Sequence, residues 1–279
     1  VLRNAQFCFN EFCHSVKHQR TTLYFRSPVP SPTRQALIRL IEQPSGAKRM
    51  SAPLECTDSA LFFKREPLDS FKKKWRMQRF TAKRNGMYDW PMEELINTRE
   101  ATRRGARVPP LVGYGYSRCK LGLMKDFFII SRSLADHIDG MALIRANPQA
   151  VRTVIEATAE LLHELHNHGI SHMDLWAANV MLPLHGSGPA QAIDLENGFF
   201  TPTAYFSETL GFQFGFLYLR HIYRYITESA FDDLVAHCLA KYFPHVDRKA
   251  FDQTYEVAKH QVIDRLERRA IFTKGRVTR

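Results

Sequence analysis

Residues 168–198, HGISHMDLWAANVMLPLHGSGPAQAIDLENG, constrain this chain more than any other stretch. Asn179 follows Asp174 by five positions in His172-Met-Asp174-Leu-Trp-Ala-Ala-Asn179, and Asp194 stands fifteen residues further on, in the short apolar run Ala192-Ile-Asp-Leu195. The breaker cluster His185-Gly-Ser-Gly-Pro189 between them reads as a hairpin turn. The stretch is therefore expected to run loop, strand (179–182), turn, strand (191–195), with polar groups at one end of both strands. Such a hairpin collects one amide and two carboxylates in a single cleft.

The residues before it supply a support. Asn147-Pro148 is a helix start, with Asn as N-cap and Pro at the first helical position. Val151, Val154, Ile155, Leu161, Leu162 and Leu165 then share one helical face, with Thr158 in the gap. This helix delivers the chain into His172. Beyond Gly198 the pattern is mostly helical: a buried helix over 206–226 and amphipathic helices over 229–243 and 247–269 are expected.

The first half reads as shorter, strand-rich segments. Residues 21–26 suit a strand, 34–42 a short helix or strand, and 60–64 an apolar run ending in Lys64. Residues 91–104 read as a helix stopped by Gly105, with Glu93, Glu94 and Glu100 on it, and a strand pair begins near Val108. Gly113 and Gly115 are expected in a turn. A lysine at a strand end becomes a phosphate ligand when a helix-borne carboxylate holds it. Glu100 is the expected holder, and no G-x-G-x-x-G precedes Lys64; residues 46–49 are the nearest substitute for a phosphate loop. The run 127–134 stands where a strand leads out of the first lobe, so backbone near Ser131–Ser133 is expected to meet a nucleotide base.

Between Lys64 and that helix lies Lys72-Lys73-Lys74-Trp-Arg76-Met-Gln-Arg79-Phe-Thr-Ala-Lys-Arg84, with seven positive charges and no acid, interleaved with Phe71, Trp75 and Phe80. The whole chain carries a formal charge of +11. Both features favour an anionic partner, and each basic residue near a charged leaflet contributes on the order of 1 kcal/mol. An anionic membrane or glycolipid is the expected partner of Lys72, Lys73, Lys74, Arg76 and Arg79; nucleic acid is the lesser reading. No apolar run approaches the ~18 residues of a membrane span. The five cysteines form no C-x-x-C pair and suit free thiols.

H-x-D-x4-N in register with a strand-borne Asp is the arrangement of kinase-like phosphotransferases. Phosphoryl transfer needs in-line positioning and neutralisation of phosphate charge. Asp174 is expected to accept or orient the acceptor hydroxyl proton, and Asn179 and Asp194 to offer hard oxygens to Mg²⁺. Lys64 with Glu100 is expected to position ATP, while His172 packs and hydrogen-bonds backbone. The fold that follows is α+β and bilobal, protein-kinase-like, with a small β-rich N-lobe (1–134, including an N-terminal extension 1–50 and the insert 71–86) and a larger, mainly helical C-lobe (135–279).

With these residues in place the chain resembles the lipopolysaccharide core kinases, the bacterial Kdo/heptose kinase family of WaaP type. Leu61-Phe-Phe-Lys64 looks like that family's lysine strand, 71–84 its basic-aromatic insert, Asn97-Thr-Arg-Glu100-Ala-Thr-Arg-Arg-Gly-Ala-Arg-Val-Pro its glutamate helix, and Leu111-Val-Gly-Tyr-Gly the following strand. Ile193-Asp194-Leu195 stands where the family has its metal Asp. The resemblance covers roughly 55–245. It implies ATP-dependent phosphorylation of a heptose or Kdo hydroxyl in the lipopolysaccharide inner core, at the cytoplasmic face of the inner membrane. The competing readings are a protein kinase, an aminoglycoside- or choline-type kinase, and a pseudokinase adaptor.

Overall fold

A six-stranded antiparallel sheet, its central strands buried on both faces, forms in the first half of the chain. The computed structural model describes residues 9–44, 49–54, 60–84, 86–184 and 188–277. The strands are β1 (His14–His18), β2 (Thr21–Phe25), β3 (Met50–Leu54), β4 (Leu61–Pro67), β5 (Leu111–Arg118) and β6 (Met124–Arg132), in the order β1-β2-β5-β6-β4-β3. Helix α1 (Ser31–Glu42) covers one face, where Ala36 and Leu37 join Leu23, Phe25, Phe63, Phe128 and Ile130. Helices α2 (Phe71–Arg79) and α3 (Trp90–Arg104) cover the other, where Met77, Met92 and Leu95 join Tyr114, Phe127 and Ile129. The period of two thus gives β4 two uses. Phe63, fully buried, goes to the α1 face, and its neighbour Lys64 goes to the α3 face.

Gly113 and Gly115 lie inside β5 rather than in a turn. A Cβ on Gly115 would stand 2.3 Å from Thr22 O, and one on Gly113 2.7 Å from Tyr24 O. Glycine is needed there because the β2 backbone comes close, a reason invisible in a local G-x-G.

The contacts divide the chain into two units, 1–99 with 109–135 and 100–108 with 136–279. Residues 100–108, expected in the N-lobe, group with the second unit. The reason is a set of hydrogen bonds: Arg104 reaches the carbonyls of His168, Gly169 and Phe200, and Ala192 N–H donates to Arg107 O.

The second unit is mainly helical. Strand β7 (His137–Asp139) leads to α4 (Gly140–Ala146) and α5 (Val151–Asn167). The predicted apolar stripe of α5 is buried, including Thr158, whose hydroxyl returns to Val154 O. Asn147 caps the single 3-10 turn that precedes α5. The strands β8 (Ser171–His172), β9 (Val180–Pro183), β10 (Gln191–Ala192) and β11 (Gly198–Phe199) follow, then α6 (Phe206–Leu219), α7 (Glu228–Tyr242), α8 (Arg248–His260) and α9 (Arg265–Lys274). Helix α6 is buried nearly all round and ends at Leu219, earlier than the expected 226. The long amphipathic helix expected over 247–269 is instead two helices. Asp264 makes a capping box with Glu267 and starts α9 afresh. Gly211 and Gly215 let α6 lie against the α8 backbone, where a Cβ would meet Phe251 O at 2.3 Å and Tyr255 O at 2.6 Å.

Candidate active site

Helix α5 ends in a Schellman motif. Gly169 takes φ +66°, its N–H donates to His166 O, and Ile170 N–H reaches back to Leu165 O. The chain then turns into β8, which pairs with β11 in the register His172↔Gly198. His172 is fully buried. Its Nε2 lies 3.0 Å from Ile193 O, and its Nδ1 accepts the Asp174 N–H at 3.2 Å. A carbonyl can only accept, so Nε2 carries the proton and the ring is neutral. Burial pushes its pKa down and keeps it so. The histidine therefore ties Asp174 to the strand that leads to Asp194.

The two remaining polar groups are placed by the same backbone. Asn179 Nδ2 donates to Asp174 O at 2.8 Å, and Ile193 N–H donates to Asn179 O at 3.0 Å. Strands β9 and β10 pair antiparallel, Val180 opposite Ala192, which puts Asn179 and Ile193-Asp194 at one end of both. Asp194 adopts φ +59°, ψ 55°. Asp tolerates this left-handed conformation better than most residues, at a cost of about 1–2 kcal/mol, and strain of this kind gathers at functional sites. Hydrogen bonds thus tie Asn179 to Asp174 and to Ile193, the chain neighbour of Asp194. The side-chain oxygens of Asp174, Asn179 and Asp194 suit a hard cation, since the Asn179 nitrogen is committed to Asp174 O and its amide oxygen remains as a ligand.

One partner was not legible in the sequence. Arg268 of α9, 94 positions away, donates from Nη1 to Asp174 Oδ1 at 2.7 Å. Its guanidinium is held by Ile263 O and Met173 O and lies 4.4 Å over the Phe216 ring. Burial pushes the pKa of Arg268 down, while Asp174 opposes this by its charge and its hydrogen bond. Among the described residues the other carboxylate oxygen, Oδ2, has no protein partner.

In the first unit, Lys64 Nζ meets Glu94 Oε1 at 2.5 Å, with side chains only 17% and 5% exposed. Glu94, not Glu100, is the carboxylate that holds the lysine. Glu100 binds Arg103 and Arg104, which hold its carboxyl down to about 2, mainly through the Arg103 hydrogen bond. Six residues separate the two glutamates, so at 100° per residue they point about 120° apart on α3. Glu100 has a different use. It orients Arg104, whose guanidinium ties the carbonyls of His168 and Gly169, at the entry to the loop, to that of Phe200.

Two further expectations meet the structure differently. Ser131 is paired within the sheet and Ser133 N–H is taken by Ala60 O, so these backbone groups already have protein partners. Residues 46–48, the suggested phosphate loop, lie outside the described residues; Arg49 is described and reaches Glu94 Oε2 at 3.5 Å.

Helix α2 splits the basic insert in two. Lys73 is committed to Glu66 and Asp69, and Arg76 makes a bidentate pair with Asp89, both bonds at 2.8 Å. The chain's largest cationic run therefore presents Lys72, Lys74 and Arg79 beside Phe71 and Trp75, which are 67% and 42% exposed. Arg79 stacks on the Trp75 ring at 3.9 Å. Among the described residues no helix is long and apolar enough to cross a membrane.

Comparison with known proteins agrees with the residue pattern. The chain has no match among curated proteins. Among solved structures it is similar to WaaP in complex with acyl carrier protein, at 16% identity over 74% of this chain and 85% of that one, TM-score 0.41. It is also similar to an Stt7 homologue from Micromonas algae soaked with ATP, at 15% identity over 57% of this chain and 48% of that one, TM-score 0.39. The model of the lipopolysaccharide kinase (Kdo/WaaP) family matches residues 54–200, the segment that holds Lys64, Glu94, Asp174, Asn179 and Asp194. The chain belongs to that family and is a phosphotransferase to a sugar hydroxyl.

Proposed function

We propose that the acceptor is a heptose or Kdo hydroxyl of the lipopolysaccharide inner core, phosphorylated from ATP with Asp174 as the residue that receives the hydroxyl. The observation that carries this reading is the lock on Asp174. Arg268 takes Oδ1, His172 takes the backbone N–H, and Asn179 takes the carbonyl, so Oδ2 is left to face the acceptor. A hydroxyl hydrogen-bonded to Oδ2 is oriented for attack; its proton passes to that oxygen as the new O–P bond forms and the bond from the γ-phosphorus to the bridging oxygen of ATP breaks, releasing ADP. Asn179 and Asp194 are the residues to hold Mg²⁺, which when bound neutralises phosphate charge. Lys64, fixed by Glu94, supplies an ammonium for the donor phosphates.

The test is transfer of labelled phosphate from ATP to purified core glycolipid, run beside generic protein and an aminoglycoside. Transfer to the glycolipid alone is expected, with loss in Asp174→Asn and in Asp194→Asn while both variants keep a folded circular dichroism spectrum. Full activity in either variant, or preference for protein or aminoglycoside, overturns the reading.

The same reading places the enzyme peripherally on the cytoplasmic face of the inner membrane, with α2 against the headgroups. Support comes from Phe71 and Trp75, exposed between Lys72, Lys74 and Arg79. Sedimentation with vesicles containing anionic lipid is expected to fall in Lys72→Glu/Lys74→Glu and in high salt; salt-independent binding refutes this role.

A further inference from the structure

The end of α6 holds a cation that the mechanism above does not use. Arg220 follows Leu219 as the C-cap of α6, and its guanidinium lies 5.1 Å from the Phe216 centroid and 5.4 Å from that of Trp176. Trp176 is two residues beyond Asp174 in the same loop. Phe216 is also the ring that carries Arg268, the partner of Asp174. Two guanidiniums therefore share one aromatic ring, while Asp174 is the one carboxylate paired with either of them among the described residues.

Arg220 itself has neither a side-chain hydrogen bond nor an ion pair among the described residues, and its Nε is buried without a partner. An Nε buried against two rings with no acceptor is costly in the free protein, and the half-buried guanidinium leaves its other nitrogens open to an anion. The surroundings reinforce the sign. Burial and then the charges of Arg224, Arg145 and Arg220 push the pKa of His221 down, and none of the three arginines has a carboxylate partner among the described residues. A helix C-terminus welcomes a cation, which accounts for the charge of Arg220. It does not account for the stacked side chain or the unpaired Nε.

We propose that Arg220 is a specificity residue for the acceptor: stacked on Trp176 and Phe216 next to the Asp174–Arg268 pair, it takes a carboxylate or phosphate of the glycolipid and so selects which hydroxyl reaches Asp174. The inference rests on the reading that Asp174 receives a glycolipid acceptor. A planar fork on two aromatic faces can bind a carboxylate or phosphate in bidentate fashion, and a lysine at the same place keeps the charge but loses the fork.

The test uses the full chain and three probes: deacylated acidic core oligosaccharide, the same with its carboxyls reduced, and the same with its phosphates removed. Binding is read from the Trp176 indole NMR signal, assigned with Trp176→Phe, so that it does not depend on turnover. Arg220→Gln is expected to weaken binding of the intact oligosaccharide about ten- to a hundredfold, with Arg220→Lys in between. The probe that erases the difference between wild type and Arg220→Gln identifies the anion. In the transfer assay the same factor is expected in KM for the acceptor and not in KM for ATP. An unchanged melting midpoint excludes misfolding, and where Arg220→Gln is destabilised the three-probe comparison is made between wild type and Arg220→Lys, which keeps the charge and loses the fork. Equal affinity of wild type and a folded Arg220→Gln, equal affinity of the three probes, or no indole shift overturns the proposal. Arg220-dependent binding without phosphate transfer leaves the anion contact standing and overturns the kinase reading instead.

Discussion

Replacing Glu94 by Gln keeps the shape of the side chain and removes the carboxylate from Lys64. The two side chains are 5% and 17% exposed, and Arg49, at 36%, shares the same carboxylate. Breaking a buried ion pair from one side costs about 3–5 kcal/mol. The remaining water contact of Lys64 sets the value near the low end, about 3 kcal/mol, or a melting midpoint lower by about 6–12 °C. The ammonium also loses the group that fixes its position, and misplacement by an ångström is worth about a hundredfold in rate. Scanning calorimetry and the ATP transfer assay, run on Glu94→Gln beside Glu100→Gln, read both effects. Glu100→Gln is expected to move the midpoint less than Glu94→Gln, because Arg103 is 65% exposed and Arg104 keeps three carbonyl acceptors. Equal losses in the two variants, or a wild-type midpoint and KM for ATP in Glu94→Gln, would refute the pairing argued from the structure.

Asp174→Asn is expected to lose about 10²–10⁴-fold in transfer and also to destabilise, since it strands the Arg268 cation, 11% exposed. Adding Arg268→Gln should recover part of that stability, and a purely additive double mutant in denaturant titration contradicts the ion pair. Gly211→Ala gains about 1 kcal/mol by helix propensity but places a Cβ 2.3 Å from Phe251 O; a net loss of about 1–3 kcal/mol in urea unfolding is expected, and a gain refutes the close approach. His166, between the rings of Phe206 and Phe243 and bonded to Gln213, has its pKa pushed to about 4, chiefly by burial. The unfolded chain binds this proton near 6.5 and the folded chain does not. Its stabilising contribution is therefore complete above pH 6.5 and lost as pH falls from 6.5 toward 4, with a slope of at most about 1.4 kcal/mol per pH unit. Melting midpoints between pH 7.5 and 5 should fall more steeply in wild type than in His166→Gln; parallel curves contradict the shift.

Much of the site could be read along the chain because local pairing builds it. The spacing of His172, Asp174, Asn179 and Asp194 is fixed by one loop and one two-strand hairpin, and the apolar stripe over 151–165 follows from the helical period. Lys64 was legible as the residue that ends the apolar run 60–64, but β4 continues to Pro67, and alternation within it gives Lys64 the face opposite Phe63. What a linear pattern does not carry is the phase of one element against another. Three glutamates on α3 are equivalent in sequence, and only the packing of α3 on the sheet selects Glu94 over Glu100 for Lys64. The same holds for Arg268, which reaches Asp174 from the last helix, and for Arg220, whose meaning depends on the shared ring of Phe216. Gly113 and Gly115 looked like turn residues until β2 was laid against β5. The sequence by itself determined the reaction class and the residues that a single hairpin brings together. The partners that hold, neutralise and select were decided by tertiary contacts between residues up to 96 positions apart, where helix phase and packing set the distances.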